Sequence, residues 1–188
     1  MELKNRTHIL ECALRLFAAH GYEGVGIQRI VEAARVSKPT LYHYFGSKEG
    51  LLAALLEEHR EPLRQALAGA HDGDLPTTLN AIASAYFQFS NQHPFFCAMQ
   101  LTMWCTPKDS APYRQIQPFR QWQEELLEQV FARALSRFAG MQGRTRLYGA
   151  TFFGMIHTCI GLALAGQIVL DEAAAARAAH QFLHGIFA

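Results

Sequence analysis

The segment Val36-Ser-Lys-Pro-Thr-Leu-Tyr-His-Tyr-Phe-Gly-Ser-Lys-Glu-Gly-Leu51 gathers hydroxyls, an imidazole and two ammonium groups into sixteen residues. Leu41 and Phe45 stand four apart, a spacing that puts both on one side of a helix. Lys38, Thr40, Tyr42, His43 and Tyr44 then project from the other side. Such groups suit phosphate oxygens and the edges of DNA bases. Lys48 lies in the first turn of a following helix, where a cation opposes the helix dipole unless an anion is near, and a DNA phosphate would be that anion.

Those side chains are only as well placed as the elements beneath them. Ser37 is a good N-cap and Pro39 falls in the first turn, where its missing N–H costs nothing. A helix over about 38–45 follows, which Gly46 stops, and Ser47 caps the next. Upstream, Ile9, Cys12, Ala13, Leu16 and Phe17 recur at helical spacing until Gly21. Gly26 opens a second short helix through Ala34, with Ile27, Ile30 and Val31 inward, and Arg35-Val36 forms the turn. Three short helices with a tight turn between the last two make a helix-turn-helix unit.

The stretches Phe17-Ala-Ala-His-Gly-Tyr22, Ile30-Val-Glu-Ala-Ala34, Val36 to Phe45 and Ser47-Lys-Glu-Gly-Leu51 together resemble the DNA-binding domain of the tetracycline-repressor (TetR) family. The resemblance covers roughly the first quarter of the chain. It implies a homodimeric transcriptional regulator, in the main a repressor, whose two reading helices enter successive major grooves of a palindromic operator. Carried over by position, Lys38, Thr40 and His43 approach bases, while Tyr42, Tyr44 and Lys48 grip phosphates. Gln28, Arg29, Ser37 and Pro39 complete the DNA-facing set. Three positions depart from the family pattern. Val25-Gly26 replaces the usual Ser or Thr before the second helix, Arg29 stands where an acidic residue is common, and Arg35 where glycine is. If that turn needs a positive φ, Arg35 costs about 1 kcal/mol.

The rest of the chain also reads as helix, so the fold class is all-α. A DNA-binding domain over 1–47 precedes a ligand-binding and dimerisation domain over 48–188. A fourth helix starts near Lys48 with Pro62 as a kink, a fifth ends before Pro94, and a sixth runs to about Cys105. A seventh carries the stripe Phe119, Trp122, Gln123, Leu126, Leu127, Val130, Phe131, Ala134, Leu135 and Phe138. The last two span about 143–168 and 171–187. The resemblance adds a switch, in which a ligand moves the fourth helix and changes the separation of the two reading helices.

Met99, Met103, Trp104, Trp122, Phe153 and His157 offer a wide apolar surface with only an indole N–H or an imidazole for polar contact. Soft methionines beside aromatics can line a cavity, so the expected ligand is a small apolar or aromatic molecule. Plain core is the competing reading of the same residues.

From Leu147 to Leu170 no residue is charged, long enough for a membrane span. A span would strand the amphipathic last helix, with Phe182, Leu183, Ile186 and Phe187, on the far side of the membrane. A dimer helix explains the run better. Ala150, Gly154, Thr158, Gly161 and Ala165 form a seam of small residues that admits a partner helix, and with Phe182 and Ile186 they make the expected interface.

Composition narrows the classes further. Hydrophobic residues make up 50% of the 188 and charged residues 18%, which supports a sizeable core. The first fifty residues hold seven Lys and Arg against five Glu, a small basic excess in the segment that meets DNA. Cys12, Cys97, Cys105 and Cys159 show no C-x-x-C pair, which fits a reducing cytoplasm. His180 and His184 are one turn apart but have no third ligand nearby in sequence, and no H-E-x-x-H, G-x-S-x-G or Walker loop occurs. No metal, cofactor or enzymatic site is therefore expected. The alternatives are a membrane-tethered DNA-binding regulator and an all-α enzyme with a helical N-terminal module.

Overall fold

In a computed structural model the protein is described over residues 2–70, 73–104, 106–134 and 142–185. The order is α1 (Glu2–His20), α2 (Ile27–Ala34), α3 (Lys38–Phe45), α4 (Lys48–Ala68), α5 (Leu75–Gln92), α6 (Pro94–Thr102), α7 (Ala111–Ala134), α8 (Thr145–Leu164) and α9 (Glu172–His184). The all-α class is as expected, and no strand occurs among the described residues. The chain forms two compact units, residues 1–61 with 95–119, and residues 62–94 with 120–188. Helices α4 and α7 each run through a unit boundary, at Glu61/Pro62 and Phe119/Arg120.

In the first unit, Ile9, Leu10, Ala13 and Phe17 of α1 are buried with Ile30, Val31 and Ala34 of α2 and Leu41 and Phe45 of α3. Cys12, Leu16 and Ile27, expected to face inward, are only half-buried, since the inward arc of α1 is centred on Ala13 and that of α2 on Ile30 and Val31. Between α2 and α3, Arg35 adopts φ 52° and ψ 42°, the left-handed conformation on which its cost depends. It is the one non-glycine residue with positive φ among those described.

In the second unit, α9 packs on α5 through Ala174, Ala175, Ala178 and Ala179, small side chains that let two helix backbones approach. Asp171 caps α9 by accepting from the Ala174 N–H at 2.7 Å, and Asn91 ties α5 to the segment before α9 through the Leu170 carbonyl at 2.9 Å. α8 buries Gly149, Phe152, Phe153, Ile156, His157 and Ile160. A Cβ on Gly149 would lie 3.1 Å from the Glu128 backbone nitrogen, so this glycine lets α7 and α8 touch. Met155 and Cys159, beside that face, are only half-buried.

Helix α8 is shorter than its apolar run. Gly166 takes φ 72°, and the N–H groups of Gly166 and Gln167 close on the Ala163 and Leu162 carbonyls, ending the helix at Leu164. Ala165 therefore stands at the cap, and Ile168 and Val169 lie in the exposed turn beyond. α8 remains long and apolar enough to cross a membrane by length and composition, with mean hydropathy 1.5. One of its faces is nonetheless core of the second unit. The expected α4 helix continues through Pro62. Leu135 and Phe138 of the expected stripe, Phe187 of the expected last helix, Cys105, and Ile186 of the expected interface lie outside the described residues.

Candidate nucleic-acid interface

The cap expected at Ser37 is present: its Oγ accepts from the Thr40 N–H at 3.2 Å, with Pro39 in the first turn. Gly46 closes α3 at φ 70°, its N–H donating to the Tyr42 carbonyl at 2.8 Å. With both ends defined locally and Leu41 and Phe45 buried, the outward face has little rotational freedom. Lys38, Pro39, Tyr42 and His43 are exposed on that face, Tyr42 at 46%. Thr40 and Tyr44 are half-buried at its edge.

The outward groups are already in contact with one another. The Ser37 and Thr40 hydroxyls are 2.8 Å apart, and the His43 and Tyr44 rings meet edge to face at 5.3 Å. On α2, Gln28 donates to the Glu32 carboxylate at 2.6 Å, one turn along the same helix. The Arg29 guanidinium donates to His20 Nε2 at 2.7 Å. Gln28, Arg29, Ser37, Lys38 and His43 all reach solvent. The cap of α2 is Gly26, which offers no side-chain hydrogen bond, as its lack of a side chain dictates.

Lys48, expected to grip a phosphate, has partners within the chain. Its Nζ donates to the Tyr22 carbonyl at 3.0 Å and the Val25 carbonyl at 3.2 Å, and sits 4.0 Å from the Tyr22 ring centroid. Glu23 is 3.9 Å away. The negative partner that a cation at the start of α4 calls for is thus supplied within the chain. Beside it, the Glu49 carboxyl is held below the usual carboxylate range by its own backbone N–H and the Ser47 hydroxyl. The contacts made by His20, Tyr22 and Glu23 had no sequence signal, because each joins residues far apart in the chain to a side chain that local spacing assigned to DNA.

The six residues expected to line a ligand pocket divide between the two units: Met99, Met103 and Trp104 in the first, Trp122, Phe153 and His157 in the second. Met99, Met103 and Phe153 are fully packed, at no more than 2% exposure. In the first unit His59 stacks on Phe96 at 4.1 Å, and burial lowers its pKa. In the second, Phe153 meets His157 edge to face at 4.2 Å, and the Tyr86 hydroxyl donates to the fully buried Gln123 at 3.0 Å. Burial draws the His157 pKa down to about 4, opposed by the Phe153 carbonyl that accepts from Nδ1–H at 2.9 Å.

Trp122 is half-buried on the outer face of α7, in a shallow groove with Leu126 and Val130. The larger apolar opening of the second unit, about 710 Å³, lies elsewhere, along Phe131, Leu147, Tyr148, Met155 and Phe182.

Of the expected interface residues, Ala150, Thr158 and Ala165 are exposed and Gly154 and Gly161 half-exposed. A Cβ on Gly154 would meet nothing within 4 Å. Phe182 is half-buried, its ring turned against Phe152 at 5.0 Å and Phe131 at 5.8 Å of the same unit. His180 and His184 stand with ring centres 4.6 Å apart, without a third His, Cys, Asp or Glu beside them among the described residues.

Residues 9–55, from the middle of α1 to the first turns of α4, match the family described as "Bacterial regulatory proteins, tetR family". The HTH-type transcriptional repressor AcnR of Corynebacterium glutamicum is 48% identical over 54 residues, 29% of each chain. The match thus spans under a third of that relative's length. Over nearly the whole chain, the fold is similar to the TetR family transcriptional regulator PfmR of Thermus thermophilus, with TM-score 0.74 and 25% identity over 95% of this chain and 98% of that one. A TetR-family transcriptional regulator of Bordetella parapertussis gives TM-score 0.76 and 26% identity, over 97% and 95% of the two chains. All three are transcriptional regulators by name. Residues 9–55 are thus similar to the tetR family of bacterial regulatory proteins, and the fold of nearly the whole chain is similar to that of solved TetR-family regulators.

Proposed function

We propose that the protein is a transcriptional regulator that reads a palindromic operator with α2 and α3. The observation that carries this is the outward face of α3, where Lys38, Tyr42 and His43 stand exposed on a helix capped at both ends. Lys38, Thr40 and His43 face bases, and Tyr42 and Tyr44 face phosphates, with Gln28, Arg29, Ser37 and Pro39 along the rim. Lys48 is left out of this set because its ammonium is engaged with the Tyr22 and Val25 carbonyls.

Two copies associate through the open side of α8, where Ala150, Gly154, Thr158 and Gly161 leave room for a second helix, with Ala165 and Phe182 at the margins. The same helix, without a charged residue from Leu147 on, supports a cytoplasmic dimer rather than a membrane tether, since its other face is core. The regulator acts mainly as a repressor, and a small apolar or aromatic molecule releases it. The opening along Phe131, Tyr148, Met155 and Phe182 supports such a ligand by its aromatic lining, in which no charged residue stands among those described.

Selection of duplexes from a random-sequence pool tests the reading. A recovered pseudo-palindrome with half-sites about 34 Å apart, or a multiple of that, is expected. Thr40→Ala should then relax preference at one base step, and Lys38→Ala should lower affinity and relax preference at another. Recovery of a single asymmetric half-site, or of no sequence preference, would overturn it.

A further inference from the structure

We infer that Lys48 is a positioning residue, a clasp that fastens the first turn of α4 to the turn between α1 and α2, and does not hold DNA. Its ammonium has three N–H groups. Two go to the Tyr22 and Val25 carbonyls at 3.0 and 3.2 Å. Both carbonyls lie in the non-helical segment before α2, where the chain offers them few other donors. The charge rests over the Tyr22 ring at 4.0 Å, with Glu23 at 3.9 Å, and the side chain is 20% exposed.

Tyr22 is suited to that place. Its ring is buried to 3% exposure, and its hydroxyl has no hydrogen-bond partner among the described residues. Burial, and then Glu49 and Glu23, push the phenol well above its usual pKa, so it stays neutral. The ring face, not the hydroxyl, meets the cation. Tyr22 also packs on Phe17 at 5.1 Å, which continues the contact into the α1 core.

A phosphate approaching this ammonium would compete with two carbonyls, a ring face and a carboxylate. The exchange replaces formed charge-assisted hydrogen bonds with similar ones, so it adds little affinity. The clasp instead joins α4 to the segment that leads into α2 and the reading helix. Its consequence for DNA rests on the regulator reading above, but its existence does not.

The test uses the full chain carrying Lys48→Met, Lys48→Arg, Tyr22→Leu, or the Met and Leu changes together. Two quantities are read: affinity and salt slope for a duplex selected by the wild-type chain, and hydrogen exchange at the Val25 amide, which donates to the Tyr22 carbonyl at 3.3 Å. Lys48→Met should weaken duplex binding about ten-fold with the slope unchanged, and speed Val25 exchange by a similar factor. Lys48→Arg, which keeps a charge and several donors, should restore both. The double variant should lose less than the sum of the Lys48→Met and Tyr22→Leu losses.

A fall in slope of about 0.9 on Lys48→Met marks a phosphate contact and overturns the inference. Wild-type exchange at Val25 in that variant, or unchanged affinity beside faster exchange, overturns it too. If the wild-type chain selects no duplex, the regulator reading fails by itself, and exchange at Val25 with the non-additivity of Lys48→Met and Tyr22→Leu decides the clasp alone.

Discussion

Helices α3 and α8 each bury one face and leave the other open, but their open faces differ in kind. α3 has eight residues, two of them buried, and shows ammonium, imidazole and phenol groups to solvent. α8 has twenty, with six buried, and shows Leu147, Leu162 and small or hydroxylated residues without one charge between Leu147 and Leu164. A polar face on a short capped helix is matched to a charged polymer, because each group can exchange water for a phosphate or a base edge. An uncharged face with glycines is matched to another protein surface, where close packing replaces water. The first kind of face is fixed by its caps, and the second by neighbouring helices.

Steric substitutions on the two sides should break this contrast most sharply. A Cβ on Gly50, in the first turn of α4, would collide with the Phe45 carbonyl oxygen at the end of α3. Gly50→Ala should therefore destabilise the N-terminal unit by about 3 kcal/mol and abolish duplex binding, as thermal unfolding and anisotropy would show. A normal melting temperature would mean that the corner between α3 and α4 is looser than described.

Acid should weaken the second unit through His157. Its folded pKa, about 4, lies below the unfolded value near 6.5, so the unfolded state takes up the proton first as pH falls. Stability due to this group is complete above about pH 6.5 and is lost on going down to about pH 4, by roughly 3 kcal/mol. Urea titrations of wild type and His157→Gln across that window should show the variant losing less. Parallel pH profiles would remove His157 as the cause.

Two glycines of α8 sharpen the difference between its faces. Gly149→Ala should cost about 2 kcal/mol, since the new methyl presses on the α7 backbone at Glu128. Gly154→Leu points into open space and should leave folding of the single chain intact while shifting sedimentation to a smaller species. An unaltered dimer would move the interface away from Gly154.

The smallest change expected is a gain. Arg35→Gly, at φ 52°, should stabilise the chain by about 1 kcal/mol in denaturant unfolding, without the packing changes of the other variants.

The reach of the sequence follows the range of the interactions. Ser37, Pro39 and Gly46 act within four residues, so α3 and its outward face were legible before any contact was known. The strained Arg35 turn was legible for the same reason, since left-handed geometry is a property of one residue. Helix α8 was visible in its uncharged run, but its end was not, because hydrophobicity continues to Leu170 while Gly166 turns the backbone. Trp122 and Met103 looked alike as pocket residues, yet one is half-exposed in a surface groove and the other is packed away. Residue type supplies volume and polarity, and neither says which unit a side chain joins.

Local sequence by itself determined an all-helical chain with a capped, basic and aromatic reading helix, since caps, turns and helical periodicity involve near neighbours and need no tertiary partner. Tertiary structure alone decided where Lys48 spends its charge, that Gly149 rather than Gly154 meets α7, and that His157 is held neutral. Those outcomes depend on carbonyls, backbones and apolar walls brought in from distant parts of the chain, and only folding sets their distances.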